Sequence, residues 1–421
     1  MNRLIPMLAA LIMCCTLHAQ TLAPNDSVSI GASYSDMTFY NLSTGAKTTA
    51  SNTDWHLAIS VRPTIYPPSG NPQGGVVVRM NEQLGMNIVV AENNDASTFS
   101  NLDTTGQSGW PVLHDSDLEW IEGSLNSRRS PSNPFDFGWG AYNQTTHNVM
   151  GDSVFIIHLP GGAVKKLIIE GLIKDTAYDI KYANLDNSDL QQVHILKADY
   201  SGKGFVYLNL LDNMVHDKEP VLTDWDLQFL KYTGLNIQSL PAYPVTGVWS
   251  NPRTIVAEAT PLEVNSKDYS GQNFSSDLNT IGWDWKTFAA GGFSVTDSLV
   301  YFVKTQQNKY FKMVFTGFSG STNGDFLFYK EELIQNTGID DMKSTSWNLY
   351  PNPANSLLVI SSENRIDEVT IYDLLGNLVM HQSSNGSTEI QLDISLIANG
   401  AYLLAVHSEG GVSVKRLVVK H

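Results

Sequence analysis

The sequence predicts an all-β protein: two related antiparallel β units followed by a C-terminal Ig-like β-sandwich. Three observations carry that prediction. Short runs alternate apolar and polar residues at a period of two, and no long stretch shows the 3.6-residue apolar period of a helix. Charged residues make up only 16% of the 421 positions, while Gly, Asn, Ser, Thr and aromatics are plentiful, a balance that favours strands and turns. A set of landmarks also occurs twice in the same order, as a diverged duplication gives.

The N-terminus reads as an export signal over residues 1–19. Met1-Asn-Arg-Leu opens a short charged region, Ile5–Leu17 is apolar, and Ala19-Gln20 offers a small-residue cleavage point. The apolar run is too short to span a bilayer, and no other run is long enough. Leu11–Cys14 resembles a lipoprotein box, although Met13 is bulky before the cysteine. Cys14 and Cys15 are the only cysteines, so the mature chain has no thiol, disulfide or thiolate metal site. The formal net charge of −16 disfavours nucleic acid and acidic membrane surfaces as partners.

Residues 20–192 and 193–333 form the two expected units. Asp54-Trp55-His56-Leu57 returns as Asp224-Trp225-Asp226-Leu227, and Gly138-Trp139 returns as Gly282-Trp283. Asp152–His158 matches Asp297–Val303, followed by the β runs Val164–Leu172 and Tyr310–Phe318. Each unit ends in a further run, Tyr178–Ala183 and Asp325–Lys330. Trp55, Leu57 and Ile59 alternate with Asp54, His56 and Ser60, which predicts a sheet with one buried face. On that reading His56 is a solvated histidine whose counterpart is Asp226. Residues 334–345 read as a polar linker.

The last segment, 346–421, opens with Tyr350-Pro351-Asn352-Pro353, a turn in which proline fixes φ and removes a donor. Short β runs follow at Leu357–Ile360, Val369–Tyr372, Asn377–Met380, Ile390–Leu392, Tyr402–Val406 and Val412–Val419, punctuated by glycines that include Gly400. That spacing predicts a small antiparallel sandwich. The ordered set YPNP, IYDLLGN, NGAYLL and a basic final strand with Lys415 and Arg416 resembles the type A C-terminal sorting domain of type IX secretion cargo. The resemblance implies the type IX machinery as partner and Tyr350, Pro351, Asn352, Pro353, Gly400, Lys415 and Arg416 as sorting-signal residues. It also implies passage through the periplasm to the outer-membrane surface or the extracellular space.

A second resemblance covers the two units. TFYNLSTG…NTDWHLAIS (Thr38–Ser60), FVYLNLLD…LTDWDLQF (Phe205–Phe229), IGWDWKTF (Ile281–Phe288) and LVYFVKTQQNKYFKMVFTGFSG (Leu299–Gly320) resemble the HmuY family of secreted or surface haem-binding proteins. The match is better over Ala198–Leu333 than over Val28–Asp189. It implies haem as cofactor, haem or haemoproteins as partners, and a ligand pair on loops around the Gly-Trp turn. His147 follows Gly138-Trp139 and His114 precedes it, so these two are the candidate iron ligands. Arg128 and Arg129 lie between them as candidate cations for the propionates. Trp110, Trp120, Phe135, Phe137, Trp139 and Tyr142 would supply aromatic walls. Met80, Met86 and Met150 are substitute ligands. The second unit has no His or Met between Phe229 and Met313.

No HExxH, CxxC pair, P-loop or G-x-S-x-G elbow occurs. The expected function is therefore a non-enzymatic surface binding protein. A structural or adhesive surface module, or a carbohydrate-binding protein, stays open as an alternative, because address and fold do not fix function.

Overall fold

Val, Ile, Phe and Tyr concentrate in short runs, and these runs become strands because branched and aromatic side chains pack well on a pleated surface. The computed structural model describes residues 22–63, 75–237, 240–289, 291–333, 347–362, 364–384, 386–408 and 411–421. The expected signal segment with Cys14 and Cys15, and the linker 334–345, lie outside the described residues. The chain divides into two compact units, Met1–Ile334 and Gln335–His421. The all-β expectation holds: among the described residues the only helical elements are short 3-10 turns.

In the first unit eleven strands run in order: β1 (Asp26–Ser29), β2 (Asp36–Tyr40), β3 (Lys47–Ser51), β4 (Leu57–Ser60), β5 (Val78–Met80), β6 (Asn87–Val90), β7 (Gly140–Asn143), β8 (Asn148–Gly151), β9 (Phe155–His158), β10 (Val164–Ile173) and β11 (Ala177–Asn184). Eleven more follow: β12 (Gln191–Leu196), β13 (Phe205–Asn209), β14 (Met214–His216), β15 (Leu227–Ile237), β16 (Leu240–Ser250), β17 (Ile255–Ala259), β18 (Lys286–Ala289), β19 (Gly292–Val295), β20 (Val300–Lys304), β21 (Tyr310–Phe318) and β22 (Asp325–Leu333).

Each strand of the first series has a counterpart in the second. The order β1-β22-β21-β20-β17 in one sheet corresponds to β12-β11-β10-β9-β6 in another. Likewise β16-β15-β2-β3 corresponds to β5-β4-β13-β14. The β10–β11 register shifts between Ile169 and Gly171, and the β21–β22 register shifts between Phe315 and Gly317.

Pairing crosses the sequence boundary near residue 192. β2 pairs with β15, with Tyr40 opposite Leu227, while β13 pairs with β4, with Leu208 opposite Leu57. β1 pairs with β22. Strands β4–β14 therefore form one sandwich, body I. Strands β15–β22 form body II only with β1–β3 from the chain start. Asn25 secures this closure: its side chain donates to the Lys330 carbonyl (2.7 Å) and accepts the Lys330 N–H (2.8 Å).

The sheets stack in four layers with three apolar fillings. Leu57, Val206 and Leu208 of the inner sheet of body I pack against Phe155, Ile169 and Tyr178 of its outer sheet. Tyr40, Leu227 and Phe229 pack against Tyr301, Phe315 and Phe328 in body II. Between the inner sheets lie Met37, Phe39, Trp55, Phe205, Tyr207, Trp225 and Tyr232. Burying each large side chain contributes roughly 1.5–3 kcal/mol.

The expectation of a solvated His56 fails: His56 is 4% exposed and Asp226 only 1%. The expected alternation also breaks at the start of each Asp-Trp strand, since Trp55 and Trp225 join the filling between the inner sheets while Leu57, Ile59, Leu227 and Phe229 face the cores of the two bodies. Both His56 and Asp226 cap a chain turn instead. His56 Nδ1 accepts the Leu210 N–H (3.0 Å), and Asp226 Oδ2 accepts the Leu42 N–H (2.8 Å). Burial holds the imidazole below its ordinary value and pushes the Asp226 carboxyl up.

The Gly-Trp landmark shifts by two residues. Trp139 fills the core of body I, but in body II it is Trp285 that does so, while Trp283 packs at the edge of the inter-sheet filling. Trp285 immediately precedes β18, as Trp139 immediately precedes β7.

In the second unit, β23 (Trp347–Tyr350), β24 (Leu357–Ser362) and β27 (Glu389–Asp393) form one sheet. The other contains β26 (Leu378–Ser383), β25 (Ile366–Tyr372), β28 (Gly400–Ser408) and β29 (Gly411–Val419). Trp347, Ile360, Ile371, Leu404 and Leu417 fill the space between them.

Candidate functional site

Two clefts flank the loop around residues 115–122 of the first unit. That loop leaves body I and is tied to body II. Trp120 Nε1 donates to the Ser250 carbonyl (2.7 Å), the Leu118 carbonyl accepts the Leu278 N–H (2.8 Å), and the Asp117 carboxylate accepts the Leu235 N–H (2.9 Å). Arg79, 4% exposed, holds the loop from below. Its guanidinium donates to the carbonyls of Ser116 (2.6 Å) and Glu119 (3.0 Å) and lies 5.7 and 5.2 Å from the rings of Trp120 and Trp249. A buried arginine so fully bonded is a rigid support, because removing its partners would strand a charge.

The larger cleft has a volume of about 890 Å³ and draws on both bodies. Its apolar wall comes from Val61, Leu118, Trp120, Ile121 and Leu222, and its cations are Arg62, Lys197, Lys203 and Arg253. Arg62 follows β4, Lys197–Lys203 lie in the turn between β12 and β13, and Arg253 lies between β16 and β17. Lys197 is committed to structure: Nζ donates to the carbonyls of Gly75 (2.7 Å) and Arg62 (3.0 Å) and to Asp175 (2.5 Å). Lys203 pairs with Asp217. Behind the wall, Glu219 is 3% exposed and accepts the N–H groups of Phe205 (2.9 Å) and Gly204 (3.1 Å). Burial pushes its carboxyl up to about 7 against the pull of those bonds and of Arg62. Glu119 and Asp277 complete the rim.

The smaller cleft, about 570 Å³, is lined by His114, Asp117, Leu118, Glu122, Leu235, Ile237 and Trp283 among others. His114 Nδ1 lies 2.8 Å from Glu82, and this hydrogen bond raises the imidazole above its ordinary value.

The four candidate haem residues fall in different settings. His114 alone of them lines a cleft. His147 occupies the exposed turn between β7 and β8 with φ 59°, its Nδ1 2.8 Å from the Tyr142 hydroxyl. Arg128 pairs with Glu92 (3.1 Å) in the open, and Arg129 pairs with Glu122. The six aromatics also disperse. Phe137 and Trp139 belong to the core of body I, Trp110 packs beneath β6 and β9, and Trp120 lies between the bodies. Phe135 and Tyr142 stack on each other (5.9 Å). Met80 and Met86 are buried in the core of body I, and Met150 is exposed. Arg62 and Arg253, which line the larger cleft, escaped the sequence reading. Neither sits in a motif, and strand exchange alone brings residues so far apart together.

Among the described residues no group of three or more His, Cys, Asp or Glu could hold a metal ion, and no helix is long and apolar enough to cross a membrane.

In the second unit the Tyr350–Pro353 turn is stitched to the last strand. Asn352 donates to the Arg416 carbonyl (2.8 Å) and accepts the Val418 N–H (2.9 Å). Lys415 donates to the Trp347 carbonyl and lies 4.5 Å from the indole centre. Gly400 opens β28 opposite Val419, and Arg416 pairs with Leu403 across β28–β29.

No curated protein matches the chain. Residues 348–420 match the family described as a secretion system C-terminal sorting domain. The chain thus carries a type IX sorting domain at its C-terminal end, which directs it to the cell surface or the extracellular space.

Proposed function

We propose that the first unit is a non-enzymatic binding module, delivered to the cell surface by its sorting domain, with the larger cleft as its ligand seat. The observation that carries this reading is the cleft itself. Its volume of about 890 Å³ falls in the range of small-ligand sites, and it combines an apolar wall with a few convergent polar groups. Its lining also comes from loops anchored by buried bonds, which keeps the seat pre-formed.

Thermal-shift screening of the chain without residues 1–19 against saccharides and small acids tests this. A stabilising ligand is expected, and Ser201→Trp, at an exposed rim position, should remove its effect. Screening hits that Ser201→Trp leaves intact would place binding elsewhere.

Haem capture is a second reading, favoured by one arrangement. A histidine whose Nδ1 is bonded to a carboxylate, as His114 is to Glu82, has its tautomer and ring orientation fixed for ligation through the other nitrogen. A haem titration decides it. A Soret shift lost in His114→Ala supports haem at the smaller cleft, and no shift at micromolar haem retires it.

A further inference from the structure

Arg62 and Arg253 differ from the other cations of the larger cleft. Lys197 and Lys203 each hold a carboxylate, whereas neither arginine forms an ion pair among the described residues. Arg253 is exposed. Arg62 lies over the Phe205 ring (5.8 Å), and its Nε and Nη2 are buried without a hydrogen-bond partner. Those two N–H groups share one edge of the guanidinium, the edge that meets an oxyanion with two parallel hydrogen bonds. The carboxylate that acts most strongly on Arg62 is Glu219, whose oxygens already accept the N–H groups of Gly204 and Phe205. Arg253 meanwhile acts on Arg62 as a like charge. Two guanidiniums that repel each other, one with an unused donor edge, are the arrangement an anion between them would relieve. In a chain of net charge −16, such a spot is also a local exception that selects the sign of what enters.

We propose that Arg62 and Arg253 form an oxyanion seat in the larger cleft, taking the carboxylate or sulfate group of a saccharide-sized acidic ligand. Arg62 lines the cleft and is partly exposed as a residue, while its free donor edge is buried, so the seat requires the side chain to turn that edge toward the ligand. This inference rests on the larger cleft being the ligand seat.

Calorimetric titration of the chain without residues 1–19, at low salt, with glucuronate, glucose 6-sulfate and glucose tests it. One or both acids are expected to bind saturably, about tenfold or more tighter than glucose, with affinity falling as salt is added. The tighter acid identifies which oxyanion the seat prefers. Arg253→Gln, at an exposed position, is expected to weaken acid binding about tenfold. Arg62→Lys, which keeps the charge and loses the fork, should weaken it as well. Equal binding of acids and glucose, or unchanged affinity in both arginine variants, overturns the seat. If acid binding survives both arginine changes but disappears in Ser201→Trp, the cleft remains the ligand site and only the seat falls. If Ser201→Trp affects no ligand, the cleft reading falls too.

Discussion

Asn81 and Asn251 make the same pair of buried bonds at corresponding places in the two bodies. Asn81 Nδ2 donates to the carbonyls of Asn52 and Trp55, both at 3.0 Å, and Asn251 Nδ2 donates to those of Leu222 and Trp225, also both at 3.0 Å. Each side chain ties the approach to an Asp-Trp strand to the neighbouring strand end. Replacing either by alanine leaves two carbonyls without that donor and should cost about 2 kcal/mol. Urea unfolding is expected to give similar losses for Asn81→Ala and Asn251→Ala. A loss in only one of them would show that the two positions are not energetically equivalent.

A chain that begins at Asn52 lacks β1–β3. Body I takes none of its strands from that segment, whereas body II loses the partners of β15 and β22. Hydrogen exchange is expected to show protection retained over β4–β14 and lost over β15–β22. Adding residues 22–51 as a separate peptide should restore it. Protection of β15–β22 without those strands would contradict the closure.

Much of the strand inventory was legible because period-two runs and glycine turns are local signals. Val164–Ile173 and Tyr310–Phe318 are examples, as is the set of strands after Tyr350. Strand partnership was not legible. Thr38–Leu42 and Phe205–Leu210 carry near-equal patterns, and either could add to Leu57–Ser60 or to Leu227–Phe229, so the exchange has no signature in either segment. His56 shows the second limit. Alternation assigns side chains to two faces, but it does not reveal that a polar side chain at a strand's entry folds in to cap a buried turn, as His56 does for Leu210. Trp283 shows a third, since two tryptophans two positions apart compete for one core position and only packing chooses. The cleft stayed hidden for the same reason as the exchange that builds it.

Glu219 makes stability depend on pH in a stated direction. Burial raises its folded value to about 7, above its unfolded value of 4.5. The folded state therefore holds the proton longer, and stability falls as pH rises from 4.5 to 7, by up to about 3 kcal/mol. Glu219→Gln removes that slope. Denaturation midpoints at pH 5 and pH 7.5 should differ less in the variant than in the parent. An equal difference in both would assign the slope to other groups.

Asn352 bonds to both the Arg416 carbonyl and the Val418 N–H. Asn352→Ala should lower the stability of residues 346–421 by roughly 1–2 kcal/mol, measured on that segment alone. The same change in the whole chain should reduce the amount delivered outside the cell. Unchanged melting of the segment would separate the turn from its stability.

The Asn25–Lys330 clasp places both ends of the first unit's described chain at one seam. β22 lies between β1 and β21, with a neighbour on each side. Proteolytic release of everything after Leu333 therefore severs no strand of body II and frays no sheet edge. The address can be discarded on arrival while its cargo stays zipped.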